Sequence, residues 1–244
     1  MDNTIYVGLS SQIILQRELD IAANNLANAD TAGFKFEDLL TTADPASPAT
    51  TQGVTGPVTF VTTDGVARDY SQGALSQTGG PLDVAIDGKG FFQVSTASGP
   101  RYTRDGRFKL DATGKLVTEN DDAVQGDGGD IVLDPTKGPV TISPTGVISQ
   151  GGQKVAQLSA VTFDDLSALS KEGRNLLRND SNLAPHPASG VTLRQGMLEN
   201  SNVNTITQIT HLLEVTRTYE SMAKMMSDAS DLSRQSVSRM GRVQ

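Results

Sequence analysis

Cysteine and tryptophan are absent from the 244 residues, and the other aromatics are few: four tyrosines and seven phenylalanines. Without thiols there can be no disulfide framework, no thiolate metal site and no cysteine nucleophile. Histidine is almost missing too. His186 sits between Pro185 and Pro187 and His211 within a helical pattern, and neither has the converging partners at defined spacing that a metal site needs. Gly88-Lys89-Gly90 lacks the third glycine of a dinucleotide fingerprint, and the acidic, glycine-bearing stretch 119–130 lacks the alternating ligands and terminal glutamate of a calcium loop. No GxSxG, phosphate-binding loop or HExxH occurs, so no catalytic, cofactor-binding or metal residue is assigned. Clusters of Lys and Arg are missing as well. The net charge is -8 and the sequence pI about 4.7, which argues against nucleic acid or an anionic membrane as partner. Apolar runs stop after a few residues, as at Ile13, Ile14 and Leu15, far short of the roughly 20 that cross a bilayer. The N-terminus also lacks a basic region followed by an apolar core and a small-residue cleavage site, so a cleaved signal peptide is not expected.

What the chain does have is helical periodicity at both ends. Ile5, Leu9, Ile13, Leu19, Ala23 and Leu26 recur at three- and four-residue steps or their multiples, predicting one buried face of a helix within residues 1–36. Val7, Ile14, Leu15, Ile21 and Ala22 add apolar surface outside that stripe, more than one neighbour would cover. Asn3 is a candidate N-cap, and Gly33 supplies the positive-φ residue that commonly ends a helix and turns the chain onward. Asn24, Asn25 and Asn28 are weak helix formers. They mark either a fraying end or polar contacts that set register at a helix interface.

The period becomes helical again from Val203, with Leu212, Val215, Tyr219, Met222, Met226 and Ala229 spaced as a packing seam. Asn200, Ser201 and Asn202 read as capping residues, and Ile206 and Ile209 as an early start to the stripe. Glu214 with Arg217, and Glu220 with Lys224, are spaced as helical ion pairs on an exposed face. The expected pairing sets Ile5, Leu9, Leu19 and Leu26 against Leu212, Val215, Tyr219, Met222 and Met226, or against the same residues of neighbouring copies.

Between the helices the pattern shortens. Residues 37–72 carry Pro45, Pro48 and Pro57 among Thr, Ala and Ser, which forbids a continuous helix and predicts an extended arm or linker, with a short strand at 58–61. Residues 73–195 alternate short β-type runs with glycine turns at Gly79-Gly80, Asp87-Gly88, Asp105-Gly106, Thr113-Gly114 and Gly146, predicting a β-rich domain of hairpins. Residues 164–177, with Leu166, Leu169, Leu176 and Leu177, read as a short helix or an irregular connection. Phe91, Phe92, Tyr102 and Phe108 are the expected core aromatics, while Arg101, Arg104 and Arg107 read as surface ion-pair partners or contacts to a neighbouring subunit. The fold class is therefore α+β, with residues 1–36 and 196–244 pairing as a coiled-coil-like helical domain around the β-rich middle.

Three separated stretches resemble one family. ANNLANADTAGFK (residues 23–35), GALSQTGGPLDVAIDGKGFFQV with GPRYTRDGRFKLDATGKLVT (73–94 and 99–118), and GMLENSNVNTITQITHLLEVTRTYESMAKMM (196–226) are similar to the signatures of flagellar basal-body rod and hook proteins. The last carries Leu198-Glu199 with Ser201, Asn202 and Val203, and the Arg217, Tyr219 and Glu220 pattern. Length and the opening MDNTIYVGLSSQ look most like proximal rod members, with a distal rod or hook-type axial protein as the alternative.

The resemblance implies a non-enzymatic subunit that stacks helically with copies of itself and other rod proteins into a hollow, torque-transmitting shaft crossing the periplasm. It implies passage through the flagellar type III export apparatus, and no small-molecule substrate. It also favours the specific reading of Asn24, Asn25 and Asn28 as inter-subunit or helix-end contacts, with Arg217 and Glu220 in the same role. A reading of another class, a coiled-coil oligomer displaying a β-domain that binds a glycan or peptide, requires Phe92 or Tyr102 exposed in a concave site. An enzyme would have to rely on scattered carboxylates alone.

Overall fold

The computed structural model describes residues 2–49, 58–181 and 184–240, with side chains described for all of these except 2–7, 42–49, 58–64, 233 and 236–240. The chain divides into two compact units. One is drawn from the described residues of Met1–Ala27, Glu37–Asp69 and Asn204–Gln244; the other from Asn28–Phe36 and Tyr70–Val203.

The first unit is built on helix α1, Asp2–Ala27, and helix α2, Thr205–Met240. Their 26 and 36 residues span about 39 and 54 Å at 1.5 Å per residue. Asn3, the expected cap, lies inside the first turn of α1. The cap of α2 is Asn204 rather than Asn200, Ser201 or Asn202: its Oδ1 accepts the Thr207 N–H at 3.1 Å, satisfying one orphan donor of the first turn. Three threonines inside α2 are tolerated because Thr210, Thr216 and Thr218 each donate back to the carbonyl four residues earlier.

Contacts between the helices descend α2 as they climb α1. A side chain at Gly8 would meet Met226 Cγ at 3.2 Å, Glu18 meets His211 at 3.2 Å, and Asn25 approaches Gln208 at 3.5 Å. The pair is thus antiparallel, and Gly8 lets the helices approach closely.

Where an extended arm was expected, the same unit holds a long antiparallel hairpin, β1 Glu37–Ala49 and β2 Val58–Arg68. Pairing runs from Glu37 opposite Arg68 to Asp44 opposite Phe60, then skips to Ala49 opposite Val58. The skip covers Pro45 and Pro48, which have no N–H to give a ladder.

The second unit is β-rich, as its turn-punctuated sequence predicts. Its main antiparallel sheet runs in the order Leu169–Gly173, Leu176–Asn179, Gly99–Thr103, Phe91–Thr96, Ala123–Gly126, Leu116–Thr118, Phe108–Leu110. Smaller sheets pair Val84–Asp87 with Thr192–Gln195 and Leu75–Gln77 with Met197–Glu199, so the two ends of the middle sequence close on each other. Asp87-Gly88 therefore joins strands of different sheets instead of closing a hairpin.

Adjacent residues of a strand point to opposite faces, and Phe91 and Phe92 use both. Phe92 packs edge-on to Phe108 at 5.1 Å in the larger core with Ile86, Leu116 and Ile148; Phe91 packs with Tyr102, Phe163 and Leu169 in the smaller one. Both faces of the strand are covered, which buries the aromatics that a ligand platform would expose.

Residues 164–177 are not a helix beyond the single 3-10 turn Leu166–Ala168. They form a hairpin of Leu169–Gly173 with Leu176–Asn179, turned by Arg174 and Asn175 at φ 51° and 59°. Two successive left-handed residues make the tight turn whose twist matches that of the strands. The leucines at 169 and 176, seven apart and so helix-like in spacing, are instead both buried from neighbouring strands.

Candidate functional sites in the two units

The helices of the first unit are the candidate assembly elements. On α2, Val215 is buried, and Leu212, Tyr219, Met222 and Met226 are partly buried. Ile206 and Ile209 do not join it. They stand exposed with Leu213, at 79%, 44% and 52%, on a second apolar stripe spaced three and four residues apart. Arg217 and Glu220 are exposed.

On α1 the face covered within the chain is Gly8, Ile14, Ala22 and Asn25, with Leu19 and Leu26 partly buried at its edge. Leu9, Ile13 and Ala23 of the expected stripe are exposed, so they are not part of the face covered within the chain; the side chain of Ile5 lies outside the described ones. At about 100° per residue, Leu9 and Ile13 lie roughly half a turn round from the covered face. Counting large apolar residues picked out the uncovered side because the covered side is built partly from Gly, Ala and Asn.

Of the three asparagines, Asn25 is the one bound deep in the first unit. Its Nδ2 donates to the Glu37 carbonyl at 2.7 Å, and its Oδ1 accepts the Glu37 N–H at 3.0 Å. Asn25 is therefore a side-chain stand-in for a strand neighbour, pinning the start of β1 to α1. Arg68, opposite Glu37 in the hairpin, donates Nε to the Glu37 carboxylate at 2.7 Å. Asn24 is exposed. Asn28 belongs to the second unit, where its carbonyl accepts the Thr31 N–H and its Oδ1 the Thr31 hydroxyl.

The second unit contains a buried polar knot. Glu199, 1% exposed, accepts Lys35 Nζ at 2.5 Å and the Gly73 N–H at 2.9 Å on Oε1, and faces Arg104 Nη1 at 3.1 Å through Oε2. Its own carbonyl accepts the Gly33 N–H at 2.7 Å. Lys35 also donates to the Ser71 carbonyl at 2.6 Å, and Arg104 to the carbonyls of Ile86 and Gly88. Arg104 is buried, so its expected surface role is corrected; Arg101 makes the expected kind of ion pair, bidentate to Glu172, but is itself buried. Burial pushes the Arg104 guanidinium below its usual range, and the Glu199 carboxylate opposes that.

Gly33 has the expected positive φ, 67°, but its place is fixed by contact as well. A Cβ there would lie 2.5 to 2.7 Å from the backbone of Arg104 and Asp105. It does not end the helix, which stops at Ala27.

Spacing did not single out Lys35 or Glu199, because buried ions carry no periodicity, and it placed Arg104 on the surface. The available signal was that Lys35 and Glu199 fall inside two of the segments that resemble family signatures.

Comparison with known proteins agrees along the whole chain. Residues 5–35 match the family described as flagella basal body rod protein, residues 85–150 the flagellar hook protein FlgE/F/G D1 domain, and residues 194–240 the flagellar basal body rod FlgEFG protein C-terminal. The chain is 50% identical to the flagellar basal-body rod protein FlgF of Caulobacter vibrioides, with all of both chains covered. It is 32% identical to FlgF of Mesorhizobium japonicum over 99% of each, and 32% identical to FlgG of Bacillus subtilis over 95% of this chain and 97% of the other. An antiparallel pair of terminal helices with apolar surface to spare, a β-rich unit and these matches lead to one conclusion: the chain belongs to the flagellar basal-body rod protein family, as a structural subunit of the rod.

Proposed function

We propose that this chain is a proximal-rod subunit that polymerises helically through α1 and α2, in coiled-coil-like packing with the helices of neighbouring copies and of other rod proteins. The hollow shaft so formed would transmit torque across the periplasm and let exported subunits through. Subunits would reach the rod by the flagellar type III export apparatus. The role is non-enzymatic.

One observation carries this reading. Each helix is apolar on two sides: one is turned to the partner helix, while Leu9 with Ile13 on α1, and Ile206, Ile209 and Leu213 on α2, remain in water. Exposed apolar stripes at helical spacing are what a helix presents to further helices. Full-length similarity to FlgF proteins supports the proximal position.

The test separates assembly from folding. Ile209→Asp and Leu213→Asp replace exposed residues, so monomer stability should stay within about 0.5 kcal/mol, whereas incorporation into basal bodies and motility should be lost. Recovery of either variant from purified basal bodies at the wild-type level would overturn the reading.

A further inference from the structure

Asp-Gly steps occur in the chain at Asp64, Asp87, Asp105 and Asp127. At such a step the glycine nitrogen lies one five-membered ring closure from the aspartate carboxyl carbon, and the missing Cβ leaves the approach open. The side chain of Asp64 lies outside the described ones. At the next two steps the fold holds the reacting groups apart. Asp87 gives its carboxylate to Arg194 Nε and Nη2 at 3.2 and 3.0 Å, while the Gly88 N–H donates to Gln72 Oε1 at 3.0 Å. Asp105 accepts the Arg107 N–H, Nε and Nη2 at 3.1, 3.0 and 2.6 Å, and Gly106 is so closely packed that a Cβ would lie 1.7 Å from the Val84 carbonyl oxygen.

Asp127-Gly128 is held by neither device. The two residues form the exposed turn between Ala123–Gly126 and Gly129–Asp130, closed by the pair of Gly126 with Gly129. Asp127 is anchored through its main chain, its N–H donating to the Gln157 carbonyl at 3.0 Å; among the described residues its carboxylate has no hydrogen-bond or ion partner. A Cβ at Gly128 would meet nothing within 4 Å, so nothing stands between the nitrogen and the side chain that swings toward it.

We infer that Asp127-Gly128 is a modification site, at which the main chain isomerises to isoaspartate without an enzyme. The Gly128 nitrogen attacks the carbon of the Asp127 carboxylic acid; an N–C bond forms, a C–O bond breaks, and the amide hydrogen leaves with the departing hydroxyl as water. Water then adds to one of the two carbonyls of the succinimide so formed. Opening on one side restores aspartate. Opening on the other routes the main chain through the aspartate methylene, with mass unchanged and no oxidant, reductant or cofactor used. The added backbone atom breaks the register of Gly126 with Gly129 and of Gln125 with Asp130, and draws Asp130 away from Lys115. The product carries a free main-chain carboxylate, so the class of reaction that consumes it is carboxyl methylation, whose ester closes again to the succinimide.

The experiment ages full-length protein in warm neutral buffer, digests it and maps it by electron-transfer fragmentation, which cuts isoaspartate at its added backbone bond. Isoaspartate should build up at Asp127 at least about tenfold faster than at Asp87 or Asp105, the rate equivalent of one hydrogen bond to a charged carboxylate. Gly128→Ala, which the open space accepts, should slow the reaction, and Asp127→Glu, which needs a larger ring, should abolish it there. Transfer of a labelled methyl group to the whole protein by an isoaspartate methyltransferase should fall in both variants. Ageing in guanidinium chloride should bring Asp87, Asp105 and Asp127 to similar rates. A rate at Asp127 no higher than at Asp87 and Asp105 in the folded protein would overturn the assignment, as would undiminished methyl transfer in Asp127→Glu. So would a preference for Asp127 that persists after unfolding, since it would then come from neighbouring residues and not from the fold.

Discussion

Asn25 grips Glu37 by both main-chain polar groups, giving an amide hydrogen to its carbonyl and taking its N–H, at 2.7 and 3.0 Å. The pair is fully buried, so neither main-chain group has water to fall back on. Asn25→Ala should cost about 1–3 kcal/mol, the penalty of leaving a buried polar group unpaired. Asn25→Asp should cost more, because an oxygen then faces the Glu37 carbonyl. Urea unfolding followed by helical signal measures both; an Asp variant as stable as wild type would contradict the arrangement.

The Lys35, Glu199 and Arg104 cluster predicts an asymmetry. Glu199→Gln leaves two buried cations without their anion and should destabilise by about 3–5 kcal/mol. Lys35→Met leaves Glu199 still paired with Arg104 and puts an apolar chain where a lysine stem lay, so its cost should be clearly smaller. Thermal melts of the two variants side by side give the order, and equal losses would mean that the cluster is not electrostatically coupled.

Substitutions in the covered helix seam should behave differently from those on the exposed stripe. Val215→Asp and Leu212→Asp put a carboxylate between α1 and α2, and Leu26→Asp does so at the edge. These variants should lose helical signal and fail to incorporate, while the β-rich unit keeps its Tyr and Phe near-ultraviolet signal. Simultaneous loss of both signals would show that the β-rich unit needs the helix pair in order to fold.

Acid should weaken the protein through exposed turn carboxylates. Asp111, Asp134 and Asp165 each accept a hydrogen bond from the hydroxyl of Thr113, Thr136 or Ser167, which holds their acidity stronger than usual. A carboxylate with a lower pKa folded than unfolded adds stability above the unfolded value, about 3.9, and loses it as pH falls through the folded value. Asp134→Asn should therefore melt below wild type at neutral pH and converge with it in acid. A constant offset across pH would exclude this linkage. Tyr102 acts at the other limit: burial raises its pKa, so its contribution holds below about pH 10 and fades as pH rises through the folded value.

The helical period of α2, the β-rich middle and the family were legible in local pattern. The reasons are local: three- and four-residue spacing from Leu212 to Met226 survives in any context, and Gly turns punctuate short β runs wherever they pack. Which side of α1 is covered is settled only in the folded chain, because a close helix contact selects Gly8 over Leu9 and Ile13. Tertiary structure turned the leucines of 169–177 into a hairpin, since two left-handed residues at 174 and 175 can be paid for by the strand pairs they close. It also carried Lys35 across 164 positions to Glu199, a meeting of buried charges that no periodicity announces and that only the closure of the middle unit on Asn28–Phe36 brings about.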